Sequence, residues 1–249
     1  MKVAVFGLGY VGSVSGACLA QLGHDVIGVD ANPTKVSMIK QGLPPVIEEG
    51  LSELLSTVTQ QGKFSATEVW QDAIAASDVA LVCVGTPSSA NGSLSTDVVE
   101  RVCEQIGAEL AARERYFVVA IRSTVLPGTV ERLVIPTLET RSGKTAGRDF
   151  GVCMVPEFLR EGTSVKDFFN PPRTVIGELD CRAGETAAAL FDGIKAPLIR
   201  TSIRVAESLK YADNAFHALK VTFANEIGNI CKAAHCDSHE RSPDSRGWG

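Results

Sequence analysis

Residues 7–12 of the chain read Gly7-Leu8-Gly9-Tyr10-Val11-Gly12, a G-x-G-x-x-G pattern that follows an apolar run and opens a helix-like stretch. The first glycine permits a tight turn, the second allows an anionic ligand to approach the backbone, and the third lets the helix pack close to the strand. The N–H groups of Tyr10 and Val11 would begin the helix, where the backbone favours anions. The motif therefore predicts a strand, a turn and a helix that bind a dinucleotide.

Asp30 extends this pattern, because it ends the second apolar run 18 residues after Gly12. A carboxylate at this point can accept hydrogen bonds from both hydroxyls of a ribose, and it repels a 2′-phosphate. The residues therefore favour NAD over NADP as cofactor. The alternative is a glycine-rich turn followed by an unrelated surface aspartate.

Short β-branched runs alternate with helix-length stretches over the first 200 residues. The runs are apolar nearly throughout, as expected when helices cover both faces of a sheet. We expect an α/β fold, a Rossmann-like doubly wound parallel sheet with a ligand crevice at the carboxyl ends of its strands. The predicted strands are Lys2–Phe6, Asp25–Val29, Val79–Val84, Tyr116–Ile121, Phe150–Val155 and Thr174–Ile176. The predicted helices include Tyr10–Leu22, Thr34–Gln41, Asp97–Arg113 and Gly128–Leu138.

The composition is that of a globular protein without a strong charge of either sign. The chain has 249 residues, of which 45% are hydrophobic, and a formal net charge of −5. These values exclude a weakly hydrophobic disordered chain and a generally basic nucleic-acid-binding protein. No stretch approaches the roughly 18 consecutive apolar residues of a membrane span. We therefore expect neither nucleic acid nor a membrane as a partner.

Seven cysteines are scattered along the chain without C-x-x-C pairing. This pattern argues against a disulfide framework and favours the reducing cytoplasm as the location. His235, Cys236 and His239 do not have a recognised zinc spacing, so no metal site is expected. A secretory signal that ends at Cys18 is disfavoured, because the three glycines of the G-x-G-x-x-G pattern interrupt its apolar run.

Two further strand ends have the small and hydroxyl residues that a nicotinamide-ribose crevice requires. Thr86 lies in the segment Val84-Gly85-Thr86-Pro87, and Thr124 lies in the segment 123–129. Each segment alone would more often be an ordinary turn and helix cap.

The next predicted strand is followed by Val155–Gly162, which contains Glu157, Arg160 and Glu161. Two carboxylates and an arginine in a loop bounded by proline make a candidate acid/base site. Solvated charge near a strand end is the alternative.

A sustained helical period without proline runs from Ile203 to Ala234, and it predicts a long helix of the kind that connects domains. A polar stripe along this helix is spaced by three or four residues, which keeps it within an arc of about 80°. The stripe could simply face solvent, but a lysine and an asparagine one turn apart can also grip a substrate oxygen. Its residues are Lys210, Asn214, His217, Val221 and Asn225. The other side carries Leu209, Phe216, Leu219, Phe223 and Ile227.

Taken in order, these segments resemble those of the UDP-glucose/GDP-mannose dehydrogenase family. The resemblance covers residues 1 to about 234 and is carried by GLGYVG, Asp30, VGTP, RSTVLPGT, PEFLREG, ESLKYADN at 207–214 and FANE at 223–226. Three further segments are most similar to the branch that oxidises GDP-mannose: SGK at 142–144, PP at 171–172 with TVIGEL at 174–179, and KVTFANEIGNI at 220–230. The branch that oxidises UDP-glucose is the alternative.

The resemblance implies a four-electron oxidation of a sugar C6 alcohol to a carboxylate with two molecules of NAD, yielding GDP-mannuronate for alginate or a related exopolysaccharide. Lys210 and Asn214 would stabilise an oxyanion at C6, while Glu161 and Thr124 would position water. The implied NAD contacts are Gly7, Gly9, Tyr10, Val11, Gly12, Asp30, Lys35, Thr86 and Thr124. The implied nucleotide-sugar contacts are Glu161, Lys210, Asn214, His217 and Asn225.

One family segment has no counterpart in residues 1–249. The family captures an aldehyde with a cysteine thiol in a Gly-Gly-x-Cys-Leu-Pro-Lys-Asp segment beyond the long helix. We therefore expect a C-terminally truncated dehydrogenase that binds NAD without completing the oxidation, and that forms a homodimer through the long helix. A non-catalytic NAD-binding remnant that dimerises in the same way is the alternative. The expected organisation is an NAD-binding domain at 1–200, the start of a central helical dimerisation domain at 201–240 and a disordered tail at 241–249, with the C-terminal nucleotide-sugar domain absent.

Overall fold

The glycine turn joins the first strand to the first helix, as its pattern predicts. In the computed structural model, β1 is Lys2–Phe6, α1 is Tyr10–Gln21 and β2 is Asp25–Val29. Small residues allow α1 to lie against the sheet, because a Cβ atom on Gly16 would come within 2.7 Å of the Phe64 ring. Strands β1 and β2 are parallel neighbours, so the helix is the crossover of a β-α-β unit.

The strands form one sheet of eight in the order β3-β2-β1-β4-β5-β6-β7-β8. The strand order reverses at β1, which pairs with β2 on one side and with β4 on the other. Such a reversal opens a crevice at the carboxyl ends of the strands, where ligands of doubly wound sheets bind. The remaining strands are β3 Phe64–Thr67, β4 Val79–Val82, β5 Val118–Ile121, β6 Gly151–Met154, β7 Thr174–Glu178 and β8 Leu198–Ser202.

Helices cover both faces of this sheet. Helix α2 begins after Asn32, whose side chain accepts hydrogen bonds from the N–H groups of Thr34 and Lys35. The later helices are α2 Pro33–Lys40, α3 Leu51–Gln60, α4 Trp70–Ala76, α5 Asp97–Ala112, α6 Ile135–Ser142, α7 Ser164–Phe169, α8 Cys181–Ala188 and α9 Ile203–Ala233, with a 3₁₀ turn at Ala189–Phe191.

The hydrophobic core is divided into two layers by the sheet. Along β1, Val3 and Val5 lie in one layer, whereas Ala4 and Phe6 lie in the other. All four side chains are buried. Burial on both faces explains why the strand sequences are apolar throughout instead of alternating. The predicted α/β fold class is confirmed, and all six predicted strands are present with bounds that differ by two residues or fewer.

The last two strands depart from an all-parallel sheet. Strand β7 is antiparallel to β6, and β8 is parallel to β7. Because β7 starts at the edge where β6 ends, the connection between them stays at the carboxyl edge of the sheet and does not cross it. Strands β3 and β8 were not predicted, since both are partly exposed and lack a continuous apolar run.

The helix after β5 begins later than predicted and starts with a π-helical turn, Val130–Val134, before α6. Pro136 explains the wider turn. It has no N–H group, and in a regular α-helix its ring would clash with the carbonyl of Arg132, four residues earlier. The N–H of Ile135 accordingly donates to the carbonyl of Val130, five residues earlier.

The structure describes residues 1–236, so the tail predicted at 241–249 lies outside the described residues. The chain divides into a compact unit, Met1–Lys210, and a second unit that begins at Tyr211 within α9. The predicted domain boundary at residue 200 stays a prediction. Among residues 1–236, none of the helices combines the length and apolar character that a membrane crossing requires.

Candidate functional site

The three glycines of the turn have different surroundings. Gly7 has a φ of +92°, and a Cβ atom on it would lie 3.0 Å from Val84. A Cβ atom on Gly12 would lie 1.8 Å from the carbonyl oxygen of Gly7, so only glycine is sterically allowed there. A Cβ atom on Gly9, by contrast, would meet no atom of the described residues within 4 Å beyond its own chain neighbours, which leaves open space beside the turn. The turn thus packs tightly inside the protein and stays open on its outer side.

The open side of the turn is also the N-terminus of α1. Gly9 provides no side-chain cap, and the first turn of α1 carries no acidic residue. The N–H groups of Tyr10 and Val11 therefore have no acceptor within the helix. Together with the helix dipole, they suit a pyrophosphate. The NAD contacts predicted for Tyr10 and Val11 stay predictions.

Asp30 lies at the end of β2, directly beside the glycine turn. Its Oδ2 accepts a hydrogen bond from the N–H of Leu8 at 2.7 Å, and its Oδ1 accepts one from the N–H of Asn32 at 2.9 Å. Lys35 Nζ lies 3.5 Å from Asp30 Oδ2. These contacts hold the carboxylate at the crevice, where it would face a ribose attached to the pyrophosphate.

The loops after β4 and β5 are in contact with each other. The hydroxyl of Thr86 donates to the carbonyl of Thr124 at 2.8 Å, and the hydroxyl of Ser123 donates to the carbonyl of Val84 at 2.6 Å. The structure therefore brings together the two threonines that the sequence selected from separate strand ends. Ser123 was not selected, although it holds the two loops in register.

The loop after β6 contributes a buried ion pair. Glu157 Oε1 lies 2.8 Å from Lys210 Nζ, and the two side chains are only 10% and 5% exposed. The other oxygen of Glu157 accepts the N–H of Leu159 at 2.7 Å, and Lys210 lies 5.6 Å from the Phe158 ring centroid. A cation and a carboxylate excluded from water can stabilise charge and exchange a proton at a bound substrate.

The two carboxylates of this loop have different surroundings in the structure. Glu161, which the sequence favoured, is exposed, whereas Glu157 is the one that pairs with Lys210. A signal was present in the sequence, because Glu157 follows Pro156 immediately after a buried strand. The role predicted for Glu161 stays a prediction.

Glu48 is a further buried carboxylate that the sequence did not indicate. It accepts hydrogen bonds from the N–H groups of Gly162 at 3.0 Å and Ser164 at 2.9 Å. It therefore anchors the segment that carries Glu161. The phenol of Tyr10 lies beside this group, and burial raises the pKa of Tyr10 to about 12.

Arg122 is a buried cation behind the crevice. Its Nε donates to Ser15 Oγ at 3.1 Å, and its guanidinium lies 5.8 Å from the ring centroids of Phe168 and Phe191. Burial lowers the pKa of Arg122, although nearby groups that include Glu157 oppose the shift. Arg122 was not predicted, since it adjoins the apolar strand β5.

The four buried cysteines of the first unit are poor nucleophiles in this fold. Burial raises the pKa of four thiols, and that of Cys83 rises to about 12. A thiol that stays protonated at neutral pH does not attack a carbonyl efficiently. The buried cysteines are Cys18, Cys83, Cys103 and Cys153.

The polar stripe of α9 is split between the two units. Lys210 is buried in the first unit, while Asn214, His217 and Asn225 are exposed in the second. Their predicted contacts with a nucleotide sugar stay predictions. The described part of the second unit also exposes large apolar side chains, including Phe216, Leu219, Phe223, Ile227 and Ile230.

Comparisons with known proteins match two parts of the chain to one family. Residues 1–195 match the model described as "UDP-glucose/GDP-mannose dehydrogenase family, NAD binding domain", and residues 204–241 match the central domain of the same family. The prediction of NAD as cofactor is thereby confirmed.

Individual relatives show the same pattern. The chain is 52% identical to GDP-mannose 6-dehydrogenase of Pseudomonas putida over 240 residues, and 37% identical to UDP-glucose 6-dehydrogenase of Haloferax volcanii over 245 residues. It superposes on a ternary complex of GDP-mannose dehydrogenase from Pseudomonas aeruginosa with a TM-score of 0.94 at 50% identity. These matches cover 96% of this chain but 55%, 56% and 55% of the relatives, so the chain spans about half of their length.

Proposed function

The chain belongs to the UDP-glucose/GDP-mannose dehydrogenase family, and we propose that it acts in the NAD-dependent oxidation of GDP-mannose to GDP-mannuronate, a precursor of alginate or a related exopolysaccharide. The observation that carries this proposal is the buried pair of Glu157 and Lys210, which lies at the same edge of the sheet as the glycine turn. A dinucleotide cradle and a buried acid/base pair at one crevice are what a dehydrogenase requires. The identities to GDP-mannose enzymes favour that substrate over UDP-glucose, which remains the alternative.

The proposed reaction converts R–CH₂OH, water and two NAD⁺ into R–COO⁻, two NADH and three H⁺. NAD, when bound, accepts the hydride. The ammonium group of Lys210 stabilises negative charge on the C6 oxygen, and Glu157 holds that ammonium group in place. We propose that Asn214 shares the oxygen with Lys210, and that Thr124 and Glu161 position water for the hydrolytic step. We place this activity in the cytoplasm, because the seven cysteines of the sequence are scattered without C-x-x-C pairing.

NAD binding to purified residues 1–249 is the first test of this proposal. Titration calorimetry should detect NAD, and NADP should bind at least about tenfold more weakly because Asp30 repels its 2′-phosphate. Asp30→Ser should weaken NAD binding and narrow the difference between the two cofactors. Asp25→Ser is the matched control, since Asp25 lies at the far end of the same strand and is 55% exposed. Equal binding of NAD and NADP by the parent chain would contradict the assignment of Asp30.

Sugar oxidation is tested separately by adding GDP-mannose or UDP-glucose and following NADH absorbance. We expect NAD binding without production of a sugar acid, because residues 1–249 contain no Gly-Gly-x-Cys-Leu-Pro-Lys-Asp segment. Sustained turnover by this chain alone would show that the thiol step is not needed. A stable complex with NAD that never responds to either sugar, even with a complementing fragment, would favour the non-catalytic alternative.

We also propose that the chain associates with a second copy through α9. Phe216 and Phe223 are 60% and 63% exposed and lie on one side of the helix, and exposed apolar patches commonly mark interfaces. Sedimentation should show concentration-dependent self-association that Phe216→Ser/Phe223→Ser reduces. Asn214→Ser/Asn225→Ser, on the other side of the helix, should leave association unchanged. A parent chain that stays monomeric at high concentration would exclude this interface.

A further inference from the structure

Glu207 is a fully buried carboxylate near the start of α9. Its Oε1 accepts a hydrogen bond from the N–H of Val130 at 2.8 Å, and its Oε2 accepts one from the N–H of Gly128. Gly128 lies in the turn before the π-helical segment that follows β5, and Val130 is the first residue of that segment. Glu207 lies 77 residues after Val130 and 79 residues after Gly128 in the sequence. A single side chain therefore joins two elements that are far apart along the chain.

The segment that Glu207 holds has no cap of its own. The N–H of Thr129 donates to the carbonyl of Leu126 at 3.0 Å, and Pro127 and Gly128, with a φ of +87°, occupy the central positions of a type II turn. The hydroxyl of Thr129 donates to the carbonyl of Leu126, and it accepts no N–H group of the helix. Glu207 accepts the N–H groups that this helix start leaves open, where the helix dipole favours a negative charge.

Glu207 also lies next to the two halves of the crevice. It is three residues before Lys210, so the two buried side chains share one face of α9 and Lys210 reaches Glu157. On the other side, Glu207 holds Gly128, which lies four residues after Thr124, and the carbonyl of Thr124 accepts the hydroxyl of Thr86. One carboxylate thus joins the end of the loop after β5 to the part of α9 that carries Lys210.

We propose that Glu207 is a positioning residue, which fixes the Thr124 loop relative to Lys210 and so sets the geometry of the crevice. This inference rests on the proposed function, because its predicted effect is a change in NAD binding. Glu207 is not itself one of the residues proposed to contact NAD. Glu207 has no exposed surface and both its oxygens are engaged with backbone N–H groups, so it acts only through other residues.

The first arm of the test measures NAD affinity by calorimetry well below the unfolding temperature of each variant. Glu207→Gln retains the shape of the side chain but offers an NH₂ group to one of the two N–H donors. Its Kd for NAD should rise about tenfold, the scale of losing one charge-assisted hydrogen bond. Glu131→Gln is the matched control. Glu131 pairs with Arg204 between the same two elements, but it is 36% exposed and its change should leave the Kd within about twofold.

The second arm measures amide hydrogen exchange without NAD. Loss of a cap alone would accelerate exchange only at Gly128 and Val130. Loss of a positioning residue should also accelerate exchange at Ser123, whose N–H donates to Val82, and at Leu159, whose N–H donates to Glu157. Glu207→Asp keeps the charge but shortens the side chain, and it should give intermediate values in both arms. If Glu207→Gln does not fold, Glu207→Asp replaces it as the test variant in both arms.

Each outcome decides a different question. If Glu207→Gln lowers the Tm but leaves the Kd for NAD and the exchange at Ser123 and Leu159 unchanged, Glu207 is only a helix cap and the inference is wrong. If the parent chain does not bind NAD, the proposed cofactor site fails, while the exchange arm still establishes or refutes the coupling through Glu207.

Discussion

Gly12→Ala is expected to weaken NAD binding by roughly a hundredfold or more and to lower the Tm by roughly 10 °C, whereas Gly9→Ala should weaken binding as strongly and leave the Tm unchanged. The methyl group on residue 12 would lie 1.8 Å from the carbonyl oxygen of Gly7, so the turn must open or α1 must move. Overpacking of this kind costs about 3 kcal/mol in the free energy of unfolding. At residue 9 the methyl group would meet no atom of the described residues within 4 Å beyond its own chain neighbours, and it would occupy the space that we propose for a pyrophosphate.

Calorimetry and thermal unfolding of the two variants separate stability from recognition. Binding should weaken by roughly a hundredfold or more in both, because each change removes the close approach of phosphate to backbone. Gly228→Ala is the control for a glycine-to-alanine change without a positive φ, because an added Cβ atom there would meet no atom of the described residues within 4 Å beyond its chain neighbours and the backbone of its own helix. NAD binding by Gly9→Ala with parental affinity would place the pyrophosphate elsewhere.

Breaking the buried ion pair should have the largest effect on stability among single charge changes at the site. Lys210→Met leaves Glu157 buried without its cation, and a stranded buried charge costs about 3 to 5 kcal/mol. Glu157→Gln should have a similar cost because it strands Lys210. The double variant should lose less than the sum of the two, since it removes both charges and leaves neither unpaired.

Urea unfolding at neutral pH measures these differences. Lys63→Met is the matched control, because Lys63 Nζ lies 2.8 Å from Asp25 Oδ1, the same distance as in the buried pair, but the two side chains are 39% and 55% exposed. An exposed pair contributes about 1 kcal/mol or less. If Lys210→Met and Lys63→Met cost the same, Glu157 and Lys210 are not excluded from water and their proposed role loses its physical basis.

The features that the sequence could predict are local ones. The glycine turn and Asp30 depend on residues within about one β-α-β unit, where spacing alone specifies a turn, a helix start and a strand end. Lys210 was identified for a similar reason, because helical periodicity places it on a stripe. The sequence could not distinguish Lys210, which is buried, from Asn214 on the same stripe, which is exposed. Whether a residue of α9 is buried depends on which other segments pack against that helix. The helical period of the sequence does not specify those segments.

The residues that the sequence missed are carboxylates buried by distant segments. Glu48 bonds to N–H groups 114 and 116 residues away, and Glu207 to groups 77 and 79 residues away. A glutamate is usually exposed, so its sequence neighbours give no reason to place it inside. Each is stabilised there by a pair of backbone donors that only the assembled sheet brings together.

The order of the strands bears on how this chain folds while it is being synthesised. Strand β1 meets β2 early, but it acquires its second neighbour, β4, only when Val79 pairs with Val3. From β4 onward, every new strand is added beside the one made just before it, through to β8. The nascent sheet can therefore grow outward from a finished N-terminal half, one adjacent strand at a time, and no completed pair has to separate to admit a later one.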